Sequence, residues 1–267
     1  QALEDGSDAV VLLNPDTQVK ENWLDELVKA SHPNEVGITQ AMLLLGDDKF
    51  LTNNLGNAMH YLGFGFVKHY KESFDNWRDK EPFDIGYASG AAMLIKKEVI
   101  QQIGYFDAKL FMYNDDEDFC WRSRMAGYRI IIAPKSIVYH YYEFSRNKLK
   151  FYWNERNRWI LLLQNYSAKT LFIILPMLII IEFMMFFYSL IGGWIHLKIK
   201  SYFWILANMY SISKQRKNVQ KMRKLNDKEV IRHMDAKLEF SEVSNPILKY
   251  FVSPFVELYF KIVKNFI

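Results

Sequence analysis

Only one cysteine, Cys120, occurs in the 267 residues, so an internal disulfide is excluded and nothing in the chain asks for an oxidising compartment. No set of cysteines and histidines has zinc-type spacing, and no segment repeats at a fixed period. A secretory signal is missing from the front, where the first residue is Gln1. Charge of one sign is scarce as a total, since 34 basic residues against 30 acidic ones leave +4. Its placement says more, because the cations crowd the last third beside apolar segments and on no evident reading helix, so a nucleic-acid partner is not expected. What the chain has in abundance is apolar: 50% of residues, with 16% aromatic, a composition that builds a core rather than a disordered tail.

Up to about residue 150 strand-like and helix-like segments alternate, as in layered α/β domains. Ala9 to Leu13 is a short apolar run expected to be a strand buried on both faces. Trp23, Leu24, Leu27 and Val28 fall at helical spacing within 22–30, and His32-Pro33 ends that helix. Strands are expected at 36–45, 91–95, 128–133 and 137–140, and an irregular or hairpin excursion at 50–82. Lys97 to Ile103 reads as a helix capped by Gly104, and Asp115 to Ala126 as one with acids first and Arg122 and Arg124 last. The opening residues read as a helix end, a turn and a strand, so strands ahead of Gln1 are expected to be missing.

Beyond residue 150 the composition shifts. Leu171 to Ile195 carries a single charge, Glu182, over a length that suffices to cross a hydrocarbon core of about 30 Å, although a buried core helix has the same signature. Cations stand on both sides of it: Arg156, Arg158 and Lys169 before, Lys198, Lys200 and the run from Lys214 to Lys224 after. A simple single span conflicts with the positive-inside tendency, and a helical hairpin or an interfacial arrangement resolves this better. Tyr250, Phe251, Phe255, Leu258 and Ile262 recur at helical spacing in the tail, which fits an amphipathic surface helix.

Three places offer chemistry. Asn14-Pro15-Asp16-Thr17 follows the first strand, where ligands of open α/β sheets bind, and Asp16 there suits either a Mg²⁺ or Mn²⁺ ion or a turn before the next helix. Asp115-Asp116-Glu117-Asp118 opens a helix; one or two acids would satisfy its dipole, whereas four repel one another, and desolvation among aromatics would raise a carboxyl toward the range of a general base. His140 ends a strand and is either a metal or phosphate contact or a structural histidine between tyrosines.

The segments Val11-Leu-Leu-Asn-Pro-Asp-Thr17, Ala88-Ser-Gly-Ala-Ala-Met-Leu-Ile95, Phe111-Met-Tyr-Asn-Asp-Asp-Glu-Asp-Phe-Cys-Trp-Arg122 and Ala126-Gly-Tyr-Arg129, in this order, resemble the family-two inverting glycosyltransferases of the rhamnosyltransferase-like branch, over about residues 1 to 165. The resemblance implies an α/β fold of GT-A type, a Rossmann-like mixed sheet here without its first strands, followed by a helical membrane-associated C-terminal region. It divides the chain into the C-terminal part of the catalytic domain (1–150), a connecting helix and hydrophobic helices (151–213) and a basic amphipathic region (214–267).

It also implies a nucleotide-sugar donor, a lipid-linked or saccharide acceptor, and Mg²⁺ or Mn²⁺ held by Asp16 and His140. Asn14 stands where the familiar acidic motif has its first acid. Ser89, Gly90 and Ala91 match the donor-sugar pocket, Asp116 matches the base, and Asp115 and Asp118 match its supporting acids. Glu155-Arg-Asn-Arg-Trp159 is similar to the Gln-x-x-Arg-Trp element of processive synthases, and Arg156 and Arg158 are expected to meet phosphates or lipid headgroups. The expected place of work is the cytoplasmic face of the membrane, in contact with its lipids. The rival readings are a non-catalytic scaffold of a polysaccharide assembly complex and another metal-dependent phosphate-transferring enzyme.

Overall fold

The computed structural model describes residues 4–141, 148–239 and 246–267. In chain order it contains β1 (Ala9–Leu13), β2 (Thr17–Val19), α1 (Trp23–Ser31), β3 (Val36–Leu45), β4 (Thr52–Asn54), β5 (Asn57–Met59), β6 (Gly65–Val67), β7 (Phe83–Asp84), β8 (Ala92–Lys96), α2 (Lys97–Ile103), α3 (Asp115–Met125) and β9 (Arg129–His140). Helices follow: α4 (Leu149–Asn165), α5 (Ala168–Ile191), α6 (Ile195–Ala207), α7 (Met209–Met222), α8 (Asp227–Val230) and α9 (Ser253–Val263). The helix end expected at residues 1–3 lies outside the described residues.

The main sheet has the order β1-β8-β3-β9-β2, with β4 beside β3 and β7 beside β9. Only β3 and β9 pair in parallel, over Val36 to Leu45 against Arg129 to His140. Because β8 runs antiparallel to both β1 and β3, the strands β1, β3 and β9 point the same way and deliver their carboxyl ends to one rim. β3 is buried at nine of its ten positions, as the central strand of a covered sheet should be. β1 departs from the expected double burial: its residues are half-buried or exposed, since it stands at the sheet edge and pairs with β8 alone among the described residues.

Two expected strands at 128–133 and 137–140 form the single strand β9. Pro134 has no N–H to give a ladder, and the register skips from Ala41↔Ala133 to Met42↔Ile137, so residues 134–136 bulge out and the strand resumes. The Asp115 helix appears as expected, but its arginines serve the interior rather than the helix dipole. Arg122 is buried against Asp118, and Arg124 donates to the Ile85 carbonyl at 2.6 Å.

One apolar core runs from the sheet through the C-terminal helices, joining Ile38, Phe119, Ile160, Met177, Ile212 and Val256. α4 and α5 form an antiparallel hairpin, whose ends meet where Phe151 stacks on Trp194 with ring centres 4.5 Å apart. A buried ionic cluster pins their middles. Arg158 of α4 pairs with Glu182 of α5, and Lys198 of α6 pairs with both Glu182 and Glu155. Lys198, one of the cations flanking the apolar run in sequence, is thus fully buried, because two carboxylates require its charge. Within the basic run, Arg216 and Arg223 likewise face inward, donating to the Leu163 and Asn165 carbonyls. In the tail the expected apolar stripe is the exposed one, while Val252, Val256 and Phe260 form the face that docks on Tyr61.

Candidate active site at the strand rim

Backbone hydrogen bonds draw the expected segments together at the rim where β1 and β9 end. Asn14 N–H donates to the Ala91 carbonyl at 2.9 Å, fastening the end of β1 to the loop before β8. In that loop Ser89 N–H donates to Gln40 of β3 at 2.7 Å, Ala91 N–H to the Ser89 hydroxyl at 3.3 Å, and Gly90 N–H to Oδ2 of Asp116 at 3.3 Å. Gly90 needs no left-handed backbone, and a Cβ built on it would meet nothing within 4 Å. The protein itself therefore leaves open space above Gly90, beside the Asp116 carboxylate.

Asp16 and His140 also meet. Thr17 pairs with His140 across β2 and β9, Tyr141 N–H donates to the Asp16 carbonyl at 2.9 Å, and Asp16 Oδ1 lies 3.4 Å from His140 Nε2. His140 Nδ1 lies 3.2 Å from Asn53 Oδ1 on the other side of the ring. Burial lowers the histidine pKa against the pull of Asp16, which favours the neutral ring. Asp16 and His140 thus set a carboxylate oxygen and a ring nitrogen 3.4 Å apart and paired with each other, both donor types that a divalent cation takes. Among the described residues no three His, Cys, Asp or Glu side chains converge. Two protein ligands are still in keeping with Mg²⁺ or Mn²⁺, which take much of their coordination from substrate phosphates and water, so the donor set fits such an ion.

The four acids differ in environment, and the repulsion among them adds to burial in raising three of their carboxyls. Asp118 is fully buried and ion-paired with Arg122 at 2.7 Å, and it accepts from Asn165 of α4 at 3.1 Å. Arg122 in turn donates to the Ile103 and Tyr105 carbonyls, so Asp118, expected to support the base, instead ties α3 to α4 and to the end of α2. Glu117 is also fully buried; burial pushes its carboxyl well above the usual range, while Asn114 donates to it at 2.7 Å. Asp116 is pushed up to about 7, first by burial and then by the charge of Asp115, against the N–H bonds from Gly90 and Glu117. Asp115 is raised as well, mainly by burial.

The loop before α3 is strained: Phe111, Tyr113 and Asn114 have φ of 60°, 63° and 59°. Left-handed backbone costs on the order of 1 kcal/mol or more at each such residue and persists only where the surroundings enforce it. Asn157 of α4 enforces it here. Its buried amide donates to the carbonyls of Leu110, Met112 and Tyr113 at 2.9, 2.8 and 2.7 Å, and its Oδ1 accepts from Arg156.

Arg156 and Arg158, expected to meet phosphates or headgroups, are both buried and bound within the fold. Arg156 lies between Trp153 and Trp204, each 4.3 Å from the guanidinium, and donates to the Lys109 and Leu110 carbonyls; Arg158 serves Glu182 and the Leu62 carbonyl. Sequence reasoning singled out the arginines and passed over Asn157, whose partners are backbone carbonyls that leave no mark in a sequence. A separate cavity of about 450 Å³, lined by Asp8, Val28, Lys96 and Glu98, lies at the opposite end of β1 and β8 from the acids.

Comparison with known proteins agrees with this assembly of motifs. A hexosyltransferase of low-salt glycan biosynthesis, Agl10 of Haloferax volcanii, is 25% identical over 126 residues, 46% of this chain and 39% of the relative. An N-acetylglucosaminyl-diphospho-decaprenol L-rhamnosyltransferase of Mycobacterium tuberculosis is 33% identical over 57 residues, 21% of this chain and 19% of the relative. The chain thus spans well under half the length of these curated relatives. Among solved structures, GalNAc-T7 with UDP, GalNAc and Mn²⁺ superposes with a TM-score of 0.47 at 13% identity, over 61% of this chain and 32% of that one. The mannosyltransferase PcManGT of Pyrobaculum calidifontis, with GDP-Man and Mn²⁺, gives 0.40 at 12% identity, over 99% and 64%. The family model described as "Glycosyltransferase like family 2" matches residues 4–161, which include every site segment described above, and the chain belongs to that family.

Proposed function

We propose that the protein is an inverting glycosyltransferase of GT-A type that moves a hexose or deoxyhexose from a nucleotide-sugar to a lipid-linked saccharide in cell-surface glycan synthesis. Asp116 carries this reading: its carboxyl, pushed up to about 7, adjoins the open space above Gly90. A carboxyl tuned to that range is half ionised near neutral pH and can still accept a proton, as a general base requires.

In the proposed step Asp116 takes the proton of the acceptor hydroxyl as its oxygen bonds to the anomeric carbon. The bond from that carbon to the diphosphate breaks on the opposite face, and the nucleoside diphosphate leaves with the electron pair. Asp16 and His140 would hold Mg²⁺ or Mn²⁺, which when bound offsets negative charge on the diphosphate. Ser89, Gly90 and Ala91 line the donor side, with Asn14 at its edge, and Asp115 keeps the Asp116 pKa high. The lipid-linked acceptor draws support from the decaprenol-linked substrate in the name of the mycobacterial relative. The apolar helix α5, with a mean hydropathy of 2.5, suits work at a membrane, with the catalytic part on the cytoplasmic side where nucleotide-sugars are made.

The test is to incubate the full chain with labelled nucleotide-sugars, Mg²⁺ or Mn²⁺ and a polyprenyl-diphosphate saccharide. The expected products are an extended saccharide and nucleoside diphosphate, both lost in Asp116→Asn. Release of free phosphate, or unchanged transfer by the variant, would overturn the reading.

A further inference from the structure

Length and composition allow α5 to cross a bilayer, yet its attachments fix it in another way. Thr170, Ile174, Met177, Leu178, Ile181 and Ser189 form one buried stripe along the whole helix. The start of α5 is held by Asp227, which accepts from Ser167 N–H at 2.9 Å and from the Thr170 hydroxyl. Glu182 holds its middle to Arg158, and the Phe151–Trp194 stack holds its end to the first turn of α4. α4 itself is bound to the sheet domain by Asn157 and Asn165. A helix of 24 residues, about 36 Å long, therefore lies flat along the body of the enzyme. It could cross a membrane only by carrying α4 and the strained loop of the active site into the hydrocarbon, or by tearing the ionic cluster apart.

The outer side of α5 is apolar and open, with Phe172, Ile179, Phe183 and Ile191 between 60% and 87% exposed. Phe203 of α6 and Phe251 just ahead of α9 continue it, at 69% and 73% exposed. α6 joins α5 through the Tyr202–Glu182 bond, and α9 through Tyr259, whose hydroxyl donates to the Ile173 carbonyl at 2.7 Å. An apolar surface of this extent marks an interaction site. Charge identifies its occupant. Between residues 168 and 222 the one acid is Glu182, already bound to Arg158 and Lys198, while Lys169, Lys200, Lys214 and Lys217 are exposed. Apolar side chains beside cations, with no free surface acid, match a leaflet of anionic lipid.

We propose that α5, α6 and α9 lie in the plane of one membrane leaflet, with their outer faces at the boundary of headgroups and acyl chains, and that α5 does not cross. This deepens the membrane reading above and rests on it. For an enzyme acting on a lipid-linked acceptor, the arrangement holds the strained loop and Asp116 at a set height over the leaflet.

Phe172→Cys, Phe183→Cys and Ile191→Cys, each carrying an environment-sensitive fluorophore, test the proposal in the full chain, since all three side chains are exposed and Cys120 is buried. The chains are mixed with vesicles of phosphatidylcholine alone or with one quarter phosphatidylglycerol, containing quenchers at graded depths. The expected result is stronger binding to the anionic vesicles and one shallow depth shared by the three probes. A Phe183 probe about 10 Å deeper than the other two would show a crossing helix and overturn the proposal. Complete release by 1 M salt would also overturn it, reducing the contact to surface charge. Failure to bind vesicles, with a stable dimer in solution, would overturn it by giving the face to a second copy. Assaying transfer to a water-soluble acceptor alongside keeps these outcomes separate from failure of the glycosyltransferase reading.

Discussion

At the scale of single residues, the acidic run divides one chemical type among four environments. Asp118 is ion-paired with Arg122, burial pushes the Glu117 carboxyl up, and Asp116 is tuned to about 7 beside Asp115. Its raised pKa means that the native state holds a proton at Asp116 which the unfolded chain releases from about pH 4, so stability falls as pH rises through the window from 4 to 7. Asp116→Asn removes that penalty. The melting temperature of the variant relative to the parent is expected to climb between pH 4 and pH 8, by the equivalent of up to about 4 kcal/mol, while transfer drops by roughly 10²–10⁴-fold. In the parent, the rate is expected to rise with pH and level off above about 7. Gly90 permits a second separation of fold from function. Alanine there is expected to hold or raise stability by about 0.4–1 kcal/mol, since the space is empty and the backbone ordinary, while the donor KM rises. Thermal melts and initial rates check both. The meeting of Asp16 and His140 at one rim was legible in the sequence, because one follows a strand and the other ends one. Asp118 was not, because its partner Arg122 is known only once α3 is seen to be buried.

Elements show what residue spacing conceals. Helical periodicity located α1, α2 and α3 to within a residue or two, because capping and breaking residues act locally. It could not tell which side of the tail helix faces inward, since both sides are apolar and only Tyr61 and Phe260 decide it. The expected gap between strands at 133 and 137 became a bulge because pairing with β3 resumes at Ile137. α4 gives a further prediction. Asn157→Ala leaves the part-buried Met112 and Tyr113 carbonyls without this donor, while Leu110 keeps Arg156, and leaves the left-handed loop without its clamp, at a cost of about 1–3 kcal/mol in stability. Under conditions where the variant remains folded, kcat is expected to fall more than the donor KM rises, because the loop sets Asp115 and Asp116 whereas Gly90 lies on another segment. Denaturant melts with steady-state kinetics test this, and an unchanged kcat would show that the loop keeps its shape without Asn157.

For the whole molecule, the α4–α5–α6 assembly shares one apolar core with the sheet that carries the candidate site. The sequence suggested a boundary near residue 150, where the alternation of strands and helices stops and composition turns apolar. That signal reports surface chemistry, whereas the core is continuous across it. Residues 1–150 alone hold Asp16, Ser89, Gly90, Asp116 and His140 but lack Asn157 and Asn165. Such a fragment is expected to lose cooperative unfolding and to show no metal-dependent donor binding, as calorimetry and titration would reveal. The Asn157 clamp has a further consequence, in time rather than in space. On the ribosome the acids are synthesised about forty residues before the asparagine that shapes the loop presenting them, and the exit tunnel delays that asparagine further. The nascent chain thus carries every rim residue before it carries the clamp that arranges them, and the candidate site takes its shape only as α4 emerges, just ahead of the apolar helix that follows it.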